Sequence, residues 1–346
     1  MSDPRRIHVI AAVIRDGQGR ILIARRPDHV HMGGLWEFPG GKLERDEARF
    51  DGLVRELREE LGIGVTEARP LLDIRHDYPD KSVRLDVWLV TGFEGEAHGA
   101  EGQPVRWVSS CELDEYEFPA ANGPIVRAAQ LPERYLITPD VSDEAELFAG
   151  LQRAREAGIR LVQLRQTGMS AEAYAALVER VIAEFGDAFR LMVKGDEAPG
   201  WAGVGWHLTS RQLRELWQRQ QGRPSDAYRG GVAAPTGGGV AASSVVGAPT
   251  PGRLGGAGGT LLAASCHNAE ELAMAAELGV DFVTLSPVLP TATHPDAQPL
   301  GWERARELID SVNMPVYLLG GMTAEELPEA FEVGAQGIAA IRGLWG

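Results

Sequence analysis

Short apolar runs alternate with turns and amphipathic stretches along the chain. Ile7–Ile14 is a continuous apolar run of strand length, closed by Asp16-Gly17-Gln18-Gly19 and followed by the run Arg20–Arg25. Two such runs around a glycine turn predict a β-hairpin. The segment from His29 to Pro39 is punctuated by Gly and Pro, as surface loops near sites usually are. From Gly40 to Ile63 the pattern reads as a glycine loop feeding an acidic helix, and the strands Val83–Val90 and Pro104–Val108 follow. After the turn-rich Phe118–Pro124, Ala121 to Leu131 has helical spacing. These elements predict an α/β sandwich around a mixed sheet, occupying residues 1–131.

The rhythm changes near Arg134. Apolar strands are predicted at Tyr135–Ile137, Leu161–Leu164, Leu191–Val193, Val204–His207, Leu261–Ala264, Asp281–Leu285, Pro315–Leu319 and Gly337–Ile341. Between them, helical patterns cover Asp143–Glu156, Ser170–Phe185, Ser210–Arg219, Ala269–Leu278, Trp302–Ser311 and Thr323–Phe331. Eight strands in β/α alternation over 134–346 predict a compact (β/α)8 TIM barrel, with a doubly wound sheet as the alternative. The interruption at 222–259 is rich in Gly, Ala, Pro and Ser. Such a composition buries too little apolar surface to offset its ordering entropy, so a disordered insertion is expected, with the barrel closing around it.

Composition narrows the function. At 346 residues two domains are expected, and the net charge of −15 disfavours nucleic acid or an anionic membrane as a partner. The two cysteines, Cys111 and Cys266, lie far apart and outside any metal-ligand spacing, which fits a reducing, cytoplasmic setting. Ile7–Ile14 is too short to span a bilayer and has no cleavage-site pattern after it, so neither a membrane span nor a signal peptide is expected. Nothing in the pattern bears on oligomeric state.

The chemistry concentrates after Gly40-Gly41. On a helix Glu56, Glu59 and Glu60 share one face, and clustered carboxylates suit a hard divalent cation such as Mg²⁺, or Mn²⁺, shared with substrate phosphates. The alternative reading of those residues is a solvated acidic face. The spacing Gly41, five residues, Glu47, seven residues, Arg55-Glu56-Leu57, one residue, Glu59-Glu60, one residue, Gly62-Ile63 resembles the complete Nudix box. Asp46 and Gly52 depart from its commonest form, and Gly52 is expected to cost the helix roughly 1 kcal/mol relative to Ala.

Flanking blocks resemble the MutT-type 8-oxo-dGTP diphosphatases: Arg25-Arg26, Glu37-Phe38-Pro39-Gly40-Gly41, Glu101-Gly102-Gln103-Pro104, and Phe118-Pro119 leading to Asn122. The resemblance implies hydrolysis of a nucleoside triphosphate to monophosphate and pyrophosphate, with a metal held by the Gly40 carbonyl, Glu56, Glu59, Glu60 and Glu101. It leaves Glu56 and Glu101 both open as general base. Arg55 is expected to position a catalytic glutamate and Glu47 to support the loop. Arg26 and His31 are expected to hold the nucleotide, within a substrate site that includes Glu37, Phe38, Pro39 and Gly40. Phe38 would enclose the base while Asn122 reads its oxidised edge, since an amide donates and accepts at once. Asn122 also stands where a helix cap would, and Phe38 where a core residue would. A Nudix hydrolase acting on another nucleoside diphosphate derivative is the alternative function.

The second half resembles the thiamine phosphate synthase and TenI family. Gln163-Leu-Arg165, Ser265-Cys-His267, Ser286–Thr293 and Gly320-Gly321 stand at the C-terminal ends of predicted strands, where barrel sites lie. In the resemblance Gln163, Arg165, Gly320 and Gly321 handle phosphate, and His267 matches a histidine used for proton transfer in thiazole tautomerisation. The departures count against synthesis of thiamine phosphate: Thr167 replaces a lysine, Lys194-Gly195 an Asn-Asp, His294 a lysine, and no acidic Mg²⁺ ligand follows His207. Three readings of the barrel stand: a degenerate module, a working isomerase using His267, or a phosphate-binding regulator of the first half.

Overall fold

The computed structural model describes residues 6–30, 32–77, 82–222, 260–291 and 298–346; His31, His294 and the interruption from 223 to 259 lie outside the described residues. The first half contains, in order, β1 (Arg6–Arg15), β2 (Ile21–Arg25), β3 (Trp36–Glu37), α1 (Arg49–Leu61), β4 (Gly64–Asp77), β5 (Ser82–Glu94), β6 (Val105–Val108) and α2 (Gly123–Gln130). The strands form a six-stranded sheet ordered β3-β2-β1-β5-β4, with β6 beside β2. It is mixed, because β1 runs parallel to β5 and antiparallel to β2.

The continuous apolar run of β1 exists because both faces of that strand are covered. Ile10, Ala12 and Ile14 pack with Leu53, Leu57 and Leu61 of α1, while Ala11 and Val13 face a cluster containing Ile125, Val126 and Ala129 of α2. The result is a helix–sheet–helix sandwich. Strand β4 was not expected from the sequence. Its register against β5 shifts between Val65 and Glu67, between Glu67 and Ala68, and between Pro70 and Leu72, so the alternation that marks a strand is lost.

The second half contains β7 (Arg134–Ile137), α3 (Glu144–Glu156), β8 (Leu161–Leu164), α4 (Ala171–Phe185), β9 (Arg190–Val193), β10 (Gly205–Leu208), α5 (Ser210–Gln221), β11 (Leu262–Cys266), α6 (Ala269–Leu278), β12 (Phe282–Leu285), α7 (Gly301–Ile309), β13 (Val316–Leu319), α8 (Leu327–Glu332), β14 (Gly337–Ala340) and α9 (Arg342–Trp345). The eight strands close into a parallel barrel, with Trp206–Leu208 of β10 paired to Leu262–Ala264 of β11 across the undescribed segment. Alternation breaks once, where 194–204 joins β9 to β10 without a helix. The barrel is filled by Tyr135, Leu161, Met192, Ala263, Phe282 and Tyr317 near its base, which is a packed core and not a pore. Among the described residues, no helix is long and apolar enough to cross a membrane.

Three residues, Leu131 to Glu133, join the halves, and Leu131 is buried in the basal cluster of the barrel. Strand β4, at an edge of the sheet, meets the N-terminal rim of the barrel. There the Asn313 amide accepts from the Arg75 backbone N–H (2.9 Å) and donates to the Arg75 carbonyl (2.8 Å), as a neighbouring strand would. Beside it Arg69 pairs with Glu133 at 2.7 Å and lies 3.6 Å from the centre of the Phe331 ring.

Candidate active site

The loop of the acidic motif is bound along β1 almost as an extra strand. Pro39, Gly41 and Leu43 exchange backbone hydrogen bonds with Ala12, Ile10 and His8 at 2.8–2.9 Å. Gly40 takes φ +145°, and a Cβ there would stand 2.1 Å from the Ile10 carbonyl oxygen, so only glycine lets the loop lie so close. At Gly41 a Cβ would fall 2.2 Å from a carboxylate oxygen of Glu56. The missing side chain leaves that carboxylate resting on the loop backbone.

Helix α1 presents its glutamates from the opposite side. Arg55 grips Glu47 with two bonds, Nε to Oε1 at 2.8 Å and Nη2 to Oε2 at 2.9 Å, and its Nη1 reaches Glu56 at 2.8 Å and Glu59 at 3.2 Å. Nη2 also donates to the Lys42 carbonyl at 3.2 Å, so one guanidinium ties helix to loop. The Arg55 bonds draw the Glu47 carboxyl down to about 2, and the same carboxylates hold the Arg55 guanidinium above its ordinary value.

Glu60 is of a different character. Burial pushes its carboxyl up to about 7 against the opposing Gly40 N–H bond of 2.9 Å, and the charges of Glu37, Glu56 and Glu101 add to the rise. Glu101 therefore belongs electrostatically to the same group. Its loop is anchored by Gln103, whose amide donates to the Glu60 backbone carbonyl (2.9 Å) and accepts from the Glu101 N–H (3.0 Å). Gln103 is a positioning residue whose role the Glu-Gly-Gln-Pro block does not by itself reveal.

Glu37, on β3, is paired with Arg26, and burial raises its carboxyl despite that pair. Phe38 is 4 % exposed and stacks on Phe118 with ring centres 5.3 Å apart. Asn122 occupies the N-cap position of α2 without a side-chain capping bond. His31 lies outside the described residues.

Among the described residues, no three acidic, His or Cys side chains already stand grouped as a metal site. The donor set nevertheless fits a hard cation: an oxygen-only group of like-charged carboxylates, one of them raised by burial and by its neighbours' charges, on a glycine cradle that a Cβ would fill. Glu56, Glu60 and Glu101, with the Gly40 backbone, would hold it; Glu59, bonded to Arg55 and more exposed than Glu56, sits at the margin.

In the barrel, Gln163 is 1 % exposed and turned inward. Its amide donates to the Tyr135 hydroxyl (3.0 Å), which meets His207 Nδ1 (2.8 Å), whose Nε2 meets Ser265 (3.0 Å). Arg165 pairs with Asp140 at 2.6 Å and lines a cavity of 850 Å³ together with Lys194. Gly320 and Gly321 line a separate 220 Å³ cavity. His267 is half-exposed, with Nδ1 3.0 Å from the buried Glu271. The barrel residues read from the sequence are thus divided: Gln163 lies in the core, Arg165 and the paired glycines line two separate openings, and His267 stands half-exposed outside the lining of both.

Residues 10–128 match the model of the NUDIX domain, and 257–344 match that of thiamine monophosphate synthase. Over 102 residues the chain is 45% identical to the 8-oxo-dGTP diphosphatase of Proteus vulgaris, covering 30% of this chain and 91% of that protein. It is 39% identical over 122 residues to the CTP pyrophosphohydrolase of Escherichia coli, covering 35% of this chain and 90% of that one. The barrel half is 35% identical over 86 residues to the thiamine-phosphate synthase of Caldivirga maquilingensis, covering 25% of this chain and only 42% of that protein. With the box assembled and two relatives covered over nine tenths of their length, the chain belongs to the Nudix hydrolases as a pyrophosphohydrolase, and its second half is a closed eight-stranded barrel similar to thiamine monophosphate synthase.

Proposed function

We propose that the protein hydrolyses 8-oxo-dGTP to 8-oxo-dGMP and pyrophosphate, using Mg²⁺ and serving nucleotide-pool sanitation, with 1–131 as the hydrolase and 134–346 as a degenerate phosphate-binding or regulatory barrel. The observation that carries this reading is Asn122: at the head of α2, it makes no capping bond, so its amide is left to donate and accept at a base edge. The identity to an 8-oxo-dGTP diphosphatase supports it. The identity to a CTP pyrophosphohydrolase favours a second reading, in which the same glutamates serve a pyrimidine nucleotide.

A bound divalent cation would supply neutralisation of the triphosphate charge. The chain's own residues do the rest. Arg55 fixes one oxygen of Glu56, and Gln103 fixes the loop of Glu101, so either carboxylate is oriented to take the proton of the attacking water. Glu60 supplies a charge whose burial among like charges is unfavourable and would be relieved by a bound cation. Glu60→Gln is therefore expected to keep the fold and lose roughly 100-fold or more in kcat; turnover near wild type at saturating Mg²⁺ would remove Glu60 from the site.

The deciding experiment compares kcat/KM for 8-oxo-dGTP, dGTP and CTP, with identification of the released product. Preference for the oxidised purine with pyrophosphate release, reduced about tenfold by Asn122→Ala, is the expected result. Preference for CTP selects the second reading.

A further inference from the structure

The carbonyls that close α2 are met largely from the barrel. A helix end leaves its last carbonyls without intrahelical partners. In α2, the carbonyl of Ala129 is served from the sheet, by Arg15 Nη2 at 3.1 Å. Gln336, just before β14, donates its amide to the carbonyls of Ala128 (3.1 Å) and Leu131 (3.0 Å), and Arg190, which opens β9, donates to that of Gln130 (3.0 Å).

The flank of the helix is held from the same rim. Arg127 Nε lies 3.0 Å from Asp281, and the two side chains are 13% and 4% exposed. Asp281 is fixed in turn by the Leu262 N–H at 2.8 Å. Arg127 also donates to Gln130 (2.7 Å), whose amide reaches Asp114 (3.0 Å). A 650 Å³ cavity beside this grip runs along the segment from Leu113 to Arg127, so elsewhere α2 is not wedged by close packing against the barrel.

These contacts fix the helix along its axis and about it. Its other end is Asn122, preceded by the Phe118 ring stacked on Phe38. Glu56, Glu59 and Glu60 stand on α1, which packs with a different cluster on the other face of the sheet, and the loop of Glu101 is tied to α1 through Gln103. We infer that the N-terminal rim of the barrel, through Gln336, Arg190 and Asp281, is a positioning element for nucleotide recognition by α2, setting affinity and base preference without entering the hydrolytic chemistry. The inference rests on the reading of Asn122 given above.

The test is steady-state kinetics on the full-length protein. Gln336→Leu and Arg190→Met are each expected to raise KM for the preferred nucleotide about fivefold, with kcat within about twofold, and to lower the preference for 8-oxo-dGTP over dGTP by a similar factor. Arg190→Lys, which keeps a donor, is expected to restore wild-type KM. Amide exchange over Gly123–Gln130 should quicken in the first two variants while that of α1 does not. Folded variants with wild-type KM, preference and α2 exchange overturn the inference. Should one variant not fold, the other and the exchange measurement decide. A wild type that does not discriminate among nucleotides defeats the reading of Asn122 alone, because KM and exchange still report whether the barrel holds α2.

Discussion

At the residue scale, two glycines do most to shape the site. Gly40 lets the loop approach β1, and Gly41 gives the Glu56 carboxylate its seat. Gly41→Ala would place a methyl group where that carboxylate lies, so Glu56 must swing away and strain its bond to Arg55. We expect kcat to fall at least tenfold with little change in melting temperature, measured on the same preparation; retained turnover would show that Glu56 does not act from its observed position. The spacing of Gly41, Glu47, Arg55, Glu56, Glu59 and Glu60 was legible because one helix and one loop carry the whole group. Gln103 was not, because its role depends on reaching Glu60, 43 residues away in sequence, through the fold. Gly52 was legible only as a helix defect. In place, a Cβ there would stand 2.5 Å from Leu43 Cδ1 and 3.0 Å from the Glu47 carboxylate, so its absence makes room for both, which a propensity argument cannot see.

At the scale of elements, α1 is the pivot. Leu53, Leu57 and Leu61 are fully buried against β1, and the glutamates are carried on the turns between them. Leu57→Ala is expected to cost about 2–5 kcal/mol, read from denaturant unfolding, with activity lost in proportion to the unfolded fraction. A loss below about 1 kcal/mol would mean that α1 packs more loosely than its buried leucines indicate. Strands β1, β2 and β5 declared themselves through apolar runs, whereas β4 hid behind its bulges and β3 behind a length of two residues. In the barrel, every strand was readable because each is buried on both faces, and a continuous apolar run needs no alternation. The short α9, after the last strand, carried too few residues to show a period.

At the scale of the molecule, the barrel contains a buried titratable group that the hydrolase does not use. His207 lies wholly inside, between Tyr135 and Ser265, and burial pushes its imidazole from an ordinary 6.5 down to about 3. Below pH 6.5 the unfolded chain takes up this proton and the folded chain does not, so stability falls as pH drops toward 3. His207→Gln, which keeps a donor and an acceptor, is expected to flatten the decline of melting temperature between pH 7 and 5. An unchanged slope would mean that other groups govern the acid response.

Because all eight barrel strands run the same way, the barrel has two unlike ends. The sheet half occupies the end where strands begin, through Asp281, Asn313 and Gln336, while Arg165, Lys194, His267 and the paired glycines stand where strands finish. Inheritance can therefore act on the two ends separately. A lineage that no longer needs the barrel's own chemistry could lose the outer residues one by one and still be penalised for any change at the base. Under selection for hydrolysis alone, saturation mutagenesis of this half would then draw a gradient of tolerance along the barrel axis, permissive at the mouth and strict at the floor.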